Sequence, residues 1–191
     1  MSTNATKVIT PTATLSYPHL DIPQKDDKGK LKYSCCLVFA PGSDLSKLEA
    51  AVFAAAEEKF PGKGREMLVK QILKSPFRKD AAAKNYPDGS IFVNVRTEQK
   101  PGCVYPYADP QTKKPARVPD EKVKEVFYPG AQVLASLRAF TYDVSGNKGV
   151  SFALNNVQFI GDGKRLDSRV DAVDEFEADL NAAPADISSL L

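Results

Sequence analysis

Apolar and polar residues alternate in several short runs, and the spacing predicts strands more often than helices. Residues 7–17 alternate Val, Thr and Leu with small residues and stop at Tyr17-Pro18, the pattern of a first strand closing in a turn. Residues 21–29 read as a loop, the charged run 24–30 as a hairpin tip, and residues 31–40 as a strongly β-prone second strand. Pro41-Gly42-Ser43-Asp44 ends that strand and caps a helix over 45–59, with Leu45, Leu48, Val52, Ala55 and Ala56 on one face. A second helix over 65–74 turns Met67, Leu68, Ile72 and Leu73 inward and breaks at Ser75-Pro76.

Residues 75–89 have the composition of an exposed basic loop, 90–98 is a strand, and 100–125 is a long, Pro-rich connection of a kind that is usually functional or mobile. Residues 131–142 and 150–160 form a final hairpin around the Gly- and Asn-rich turn 143–149. There is no internal repeat. At least five strands with helices inserted after the second predict a mainly β domain, an OB-fold-like five-stranded antiparallel barrel over residues 1–170.

Because side chains alternate across a strand, residue parity separates the two faces. In 90–98 the inward set is Ile91, Val93, Val95 and Thr97, which leaves Phe92, Asn94 and Arg96 in line on the outer face. In 131–142 the inward set is Ala131, Val133, Ala135, Leu137 and Ala139, and the outer face again pairs an arginine with rings: Arg138, Phe140 and Tyr142. Cations that track phosphates beside flat rings that receive unstacked bases are what a single strand of nucleic acid needs, whereas a duplex has no free base faces. Lys32, beside Tyr33 on the second strand, and Lys148 in the last turn add cations to this set. Phe77, Arg78, Lys79, Tyr86, Tyr105 and Tyr107 lie in connections placed to cover a bound strand. Each ring is equally compatible with packing against its own sheet, and each arginine with an ordinary surface ion pair.

Charge sharpens this picture. Six of the 24 acidic residues (Asp171, Asp174, Glu175, Glu177, Asp179 and Asp186) lie in residues 171–191, which hold none of the 26 Lys and Arg. Residues 1–170 therefore carry +8, a basic body with an acidic C-terminal tail. As a flexible chain such a tail has an rms reach of about 25 Å, against a radius of gyration of about 15 Å for the body. It is long enough to compete for its own domain's basic surface.

Other chemistries find little support. The three cysteines, Cys35, Cys36 and Cys103, have no CxxC spacing, and with a single histidine, His19, the chain cannot assemble a zinc ribbon. No nucleotide-binding glycine motif, P-loop, HExxH or GxSxG is present, so neither an enzyme nor a cofactor nor a metal is expected. No stretch has the ~18 apolar residues of a membrane span, and residues 1–10 are polar, so a cytoplasmic protein is expected.

The stretch 127–158, Phe-Tyr-Pro-Gly-Ala-Gln-Val-Leu through Ala-Leu-Asn-Asn-Val-Gln, resembles a bacteriophage single-stranded-DNA-binding protein family long catalogued only as a domain of unknown function. The likeness extends more loosely over the body, through Pro18-His19-Leu20 and the Gly-Lys-Leu-Lys-Tyr-Ser start of the second strand. It implies an OB-fold protein that coats single-stranded DNA in phage replication and recombination without strong sequence preference. The tail is similar in kind to those of phage and bacterial single-strand binders, which contact replication partners such as polymerase, helicase or nuclease. Its tip, Pro-Ala-Asp-Ile-Ser-Ser-Leu-Leu, departs from them in lacking a terminal aromatic. The alternatives are an RNA-binding protein and a non-enzymatic interaction protein of a replisome or particle.

Overall fold

A computed structural model describes residues 5–84 and 86–167; the acidic tail residues lie outside them. The strands are β1 (Lys7–Ile9), β2 (Ala13–Lys25), β3 (Leu31–Phe39), β4 (Ile91–Thr97), β5 (Gly102–Ala108), β6 (Pro115–Arg117), β7 (Gln132–Val144) and β8 (Asn147–Gly161). Helices α1 (Ser46–Lys59) and α2 (Gly64–Val69) stand between β3 and β4, and α3 (Asp120–Val126) precedes β7. The sheet order is β1-β7-β2-β3-β4-β8-β5-β6, and β7 also pairs with β8. That extra pairing closes β7-β2-β3-β4-β8 into the expected five-stranded barrel, with β1, β5 and β6 outside the ring. Four of its seams are antiparallel. The fifth, β4 with β8, is parallel, Val95 opposite Phe152 and Arg96 opposite Ala153.

Closing the sheet puts one parity inside. Leu15, Leu37, Phe39, Val93, Val95, Val133, Leu137, Phe152 and Leu154 fill the interior with almost no exposure. The predicted apolar face of α1 packs onto this core, against β7, β1 and β8. The β7–β8 hairpin turns through Ser145 and Gly146 alone, at φ 51° and 83°, with Val144 opposite Asn147. Positive φ at both central residues is the turn whose twist matches the flanking strands. On β8 the pairing with β7 shifts between Leu154 and Asn156, at the point where its other edge passes from β4 to β5. The Asn155-Asn156 pair thus marks the bulge at which β8 exchanges neighbours.

Several sequence expectations change. The first strand does not end at Tyr17-Pro18: the chain breaks earlier, between β1 and β2, and β2 runs on to Lys25 with its register to β3 shifted between Ser16 and His19. The second helix stops at Val69, and Ile72 is exposed while Leu73 is buried. The connection expected to be irregular over 100–125 holds β5, β6 and α3. Residues 75–89 are not simply an exposed loop. The backbone of Arg78 exchanges hydrogen bonds with that of Phe92 at 2.9 and 3.0 Å, drawing this segment along β4 as an extra edge.

Beneath that segment lies a second apolar cluster of Cys36, Val38, Ala81, Tyr86 and Phe92. The Tyr86 ring meets Phe92 edge-on at 5.3 Å, and its hydroxyl donates to Ser16 Oγ at 3.0 Å. Phe92, expected on the open face, is therefore only 3% exposed, and Tyr86 is buried with it. Both belong to the fold rather than to an exposed stacking surface. Phe92→Ala is accordingly expected to destabilise the protein by about 3–5 kcal/mol, the cost of emptying a buried aromatic site. Chemical denaturation measures this; unchanged stability would return Phe92 to the exposed face.

Candidate nucleic-acid interface

The outer parity of the barrel wall can be followed strand by strand through the pairing register. Lys7 lies opposite Arg138, Arg138 opposite Ala153, Ala153 opposite Arg96, Arg96 opposite Ser34 and Ser34 opposite His19. These six residues form one transverse row around the outside, at about 4.8 Å per strand. Lys7, Arg138 and Arg96 are exposed. Ala153, between the two arginines, leaves the wall low between them. Phe140 follows Arg138 on the same face, 40% exposed and opposite the small Ser151.

At the β2–β3–β4 end of the row the wall sinks into a groove of about 330 Å³. Asn94 and Arg96 line it from β4, Lys32 and Ser34 from β3, and Tyr17, His19, Gln24 and Lys25 from β2. Its floor stays open because residues 75–89 cover only the Cys36 and Phe92 part of the same outer face. The groove is not purely cationic. Lys32 Nζ sits 3.4 Å from Asp26 and 3.8 Å from Glu98, so its charge is already partly answered. Asp26 also organises the β2–β3 turn, its Oδ1 accepting the Lys28 and Lys30 backbone N–H groups at 2.9 Å. The Lys30 N–H first, and then the Lys28 N–H and Lys32, hold the Asp26 carboxyl below its usual pKa. Its ordering of the turn is thus complete above the ordinary carboxylate pKa and is lost only as pH falls through the lower folded value.

The sequence candidates divide accordingly. Lys32, Asn94 and Arg96 meet in the groove, and Arg138 and Phe140 continue the same face over β8. Tyr142 lies against Gly149, where an added Cβ would stand 2.6 Å from its hydroxyl, and Lys148 pairs with Asp143 at 3.2 Å; both are on the hairpin away from the groove. Tyr33 shares the parity of Cys35 and Leu37 and so faces away from Lys32. Phe77 is half-buried edge-on to Phe152, 6.2 Å away, while Arg78 and Lys79 are exposed on the covering segment. Tyr105 and Tyr107 do lie on one side of β5, as their spacing requires, but stack on each other at 4.8 Å. They share the parity of buried Cys103 rather than the outer row.

Three contributors escaped the sequence reading. Tyr17 and His19 line the groove because β2 continues through a bulge where Tyr17-Pro18 suggested a turn. Lys7 joins the row because β1 adds to β7, a pairing that no local pattern encodes. Among the described residues no cluster of His, Cys, Asp and Glu suited to a metal ion is found, and no helix is long and apolar enough to cross a membrane.

A closed barrel with a groove of cations, amides and an exposed ring on its outer strands defines an oligonucleotide-binding type of module. The family described as the single-stranded-DNA-binding protein of Enterobacter phage Enc34 matches residues 6–187, and the chain belongs to it. No curated protein matches the chain. Among solved structures, the bacteriophage Enc34 single-stranded DNA-binding protein in complex with ssDNA is similar with a TM-score of 0.65 and 16% identity, over 85% of this chain and 90% of that one. A further structure of the bacteriophage Enc34 single-stranded DNA-binding protein gives 0.64 and 17%, over 91% and 92%. The gp2.5 single-stranded DNA-binding protein of bacteriophage T7 gives 0.56 and 13%, over 86% and 97%. At these identities the likeness establishes the fold.

Asp26→Asn keeps the Oδ1 acceptor of the turn but removes an acid from the groove. It is expected to tighten binding of oligo-dT severalfold at low salt and to have little effect at high salt. Fluorescence anisotropy checks this, and weaker binding at low salt would count against the groove beside Lys32 as the interface.

Proposed function

We propose that this protein binds and coats single-stranded DNA in phage replication and recombination, along the outer face of its barrel and largely without regard to sequence. The observation that carries the reading is the transverse row, in which two exposed arginines flank a small alanine and run into a groove bearing an exposed ring. Arginine and lysine there track phosphates, and Phe140 offers a flat face to an unstacked base. Backbone tracking plus stacking gives affinity without base readout. Binding rather than catalysis is the activity, and no cofactor enters it. DNA is taken as the ligand over RNA because the family to which the chain belongs is one of single-stranded-DNA-binding proteins.

The tail reading joins this one. The chain is tied down just before the tail: Tyr128 Oη donates to Asp162 Oδ1 at 3.0 Å and accepts the Gly163 N–H at 3.0 Å, and the Leu166 N–H reaches Pro129 O at 2.9 Å. Asp167, the last described residue, lines a second cavity that shares Tyr17 and His19 with the groove. The last described residue thus lies beside the site, which supports the acidic stretch 171–191 competing with DNA for it and passing to replication proteins when DNA takes its place. Residues 1–170 form the binding domain and 171–191 this regulatory arm.

Anisotropy with labelled oligo-dT, an equally long duplex and oligo-U, across a salt series, tests the function. Oligo-dT is expected to bind tightest, with a log–log salt slope to which each phosphate contact contributes about 0.7. Arg96→Ala and Arg138→Ala should each lower that slope by about 0.7; equal, weak binding of all three ligands would refute the proposal. Deleting residues 171–191 is expected to tighten oligo-dT binding at low salt, and an unchanged affinity would remove the competing role of the tail.

A further inference from the structure

Tyr17 stands in an unusual place. It is a non-glycine residue at φ 46°, followed by a proline that disfavours helical backbone in the residue before it. It lies at the point where β2 slips its register against β3. A strained backbone of this kind persists only where the surroundings impose it, and such sites concentrate where a side chain must be aimed. Here the strain does not serve the core, because the Tyr17 ring is 62% exposed. Its neighbours Ser16 and Leu20 are the buried ones. The ring lines both the groove and the second cavity, of about 350 Å³, so open space meets it from two sides.

The two cavities differ in chemistry. Lys25, Lys32 and Arg96 outnumber Asp26 in the groove, whereas the second cavity, walled by Pro18, Phe127, Tyr128 and Pro129, sets Lys124 and Arg165 against Asp21 and Asp167. The groove is net cationic and the second cavity is balanced, so phosphates are favoured on the first side over the second. An apolar, ring-walled space beside an exposed tyrosine suits a base.

We infer that Tyr17 is a base-stacking residue at the end of the groove, where the strand turns so that its phosphate stays with the groove cations and its base lies on the tyrosine toward the second cavity. This deepens the single-strand reading and rests on it. Tyr17→Gly removes the ring and at the same time relieves the positive φ, so the fold should be no less stable while oligo-dT affinity falls by about 5- to 100-fold. Tyr17→Phe should bind like the wild type. Because the chain contains no tryptophan, Tyr17→Trp supplies a single fluorophore, expected to be quenched as oligo-dT stacks on it. Wild-type affinity of Tyr17→Gly, or an unquenched Trp at saturating oligo-dT, overturns the inference. If Arg96→Ala still weakens binding in that case, the groove reading stands without Tyr17. If Arg96→Ala also binds like the wild type, the groove reading itself has failed.

Discussion

A seam of two residue pairs decides whether this chain has its outward row of cations at all. Where β4 meets β8 in parallel, Val95 and Phe152 face inward and Arg96 and Ala153 outward. The inner pair closes the apolar core around two of its best-buried side chains. The outer pair brings Arg96, from the middle of the chain, into one row with Arg138 from the final hairpin. Without closure the two arginines would sit on distant strands of an open sheet, with the Val95–Arg96 part of β4 left as an unpaired edge. The same alternation that buries the core sets out the cations, so fold and site are two faces of one constraint.

The seam is short because β8 serves two neighbours on one edge, first β4 and then β5. The Asn155-Asn156 bulge makes the exchange, and Gly102 accommodates it, since a Cβ there would stand 2.5 Å from Asn156 Oδ1. The Asn-Asn-Val-Gln stretch that carried much of the family resemblance thus has a structural role at the ring closure. The other end of the motif, Tyr-Pro-Gly, also has a structural role: Tyr128 and the backbone of Pro129 hold residues 162–166.

Parity reading was sound where one face of a strand meets water. It placed every inward residue of β7 and identified Arg138 and Phe140 on the outside, and for β4 it found Asn94 and Arg96. It failed at Phe92, and the sequence held a warning: residues 35–39, Cys-Cys-Leu-Val-Phe, are apolar at both parities, the mark of a strand covered on both faces. Since β3 pairs with β4, whatever covers Cys36 and Val38 also covers Phe92. The coverer, residues 75–89, was legible as basic and aromatic, but whether its tyrosine turned outward or into the sheet depends on Ser16, 70 positions away. Tyr17 was missed for a related reason. A Tyr-Pro step reads locally as a turn, and only the pairing of β2 with β3 on both sides of it shows a bulge inside a continuing strand.

The central claim is that a single strand lies across the outer wall from Tyr17, over Arg96 and Ala153, toward Arg138 and Phe140. Photo-crosslinking a thio-substituted oligo-dT to the full-length protein, with the attached residues mapped by mass spectrometry, reads that path directly. The account predicts crosslinks in the segments around residues 17–19, 32–34, 94–96 and 138–140, and none on α1. Crosslinks concentrated on α1, or on the Tyr105–Tyr107 side of β5 instead of the row, would contradict it.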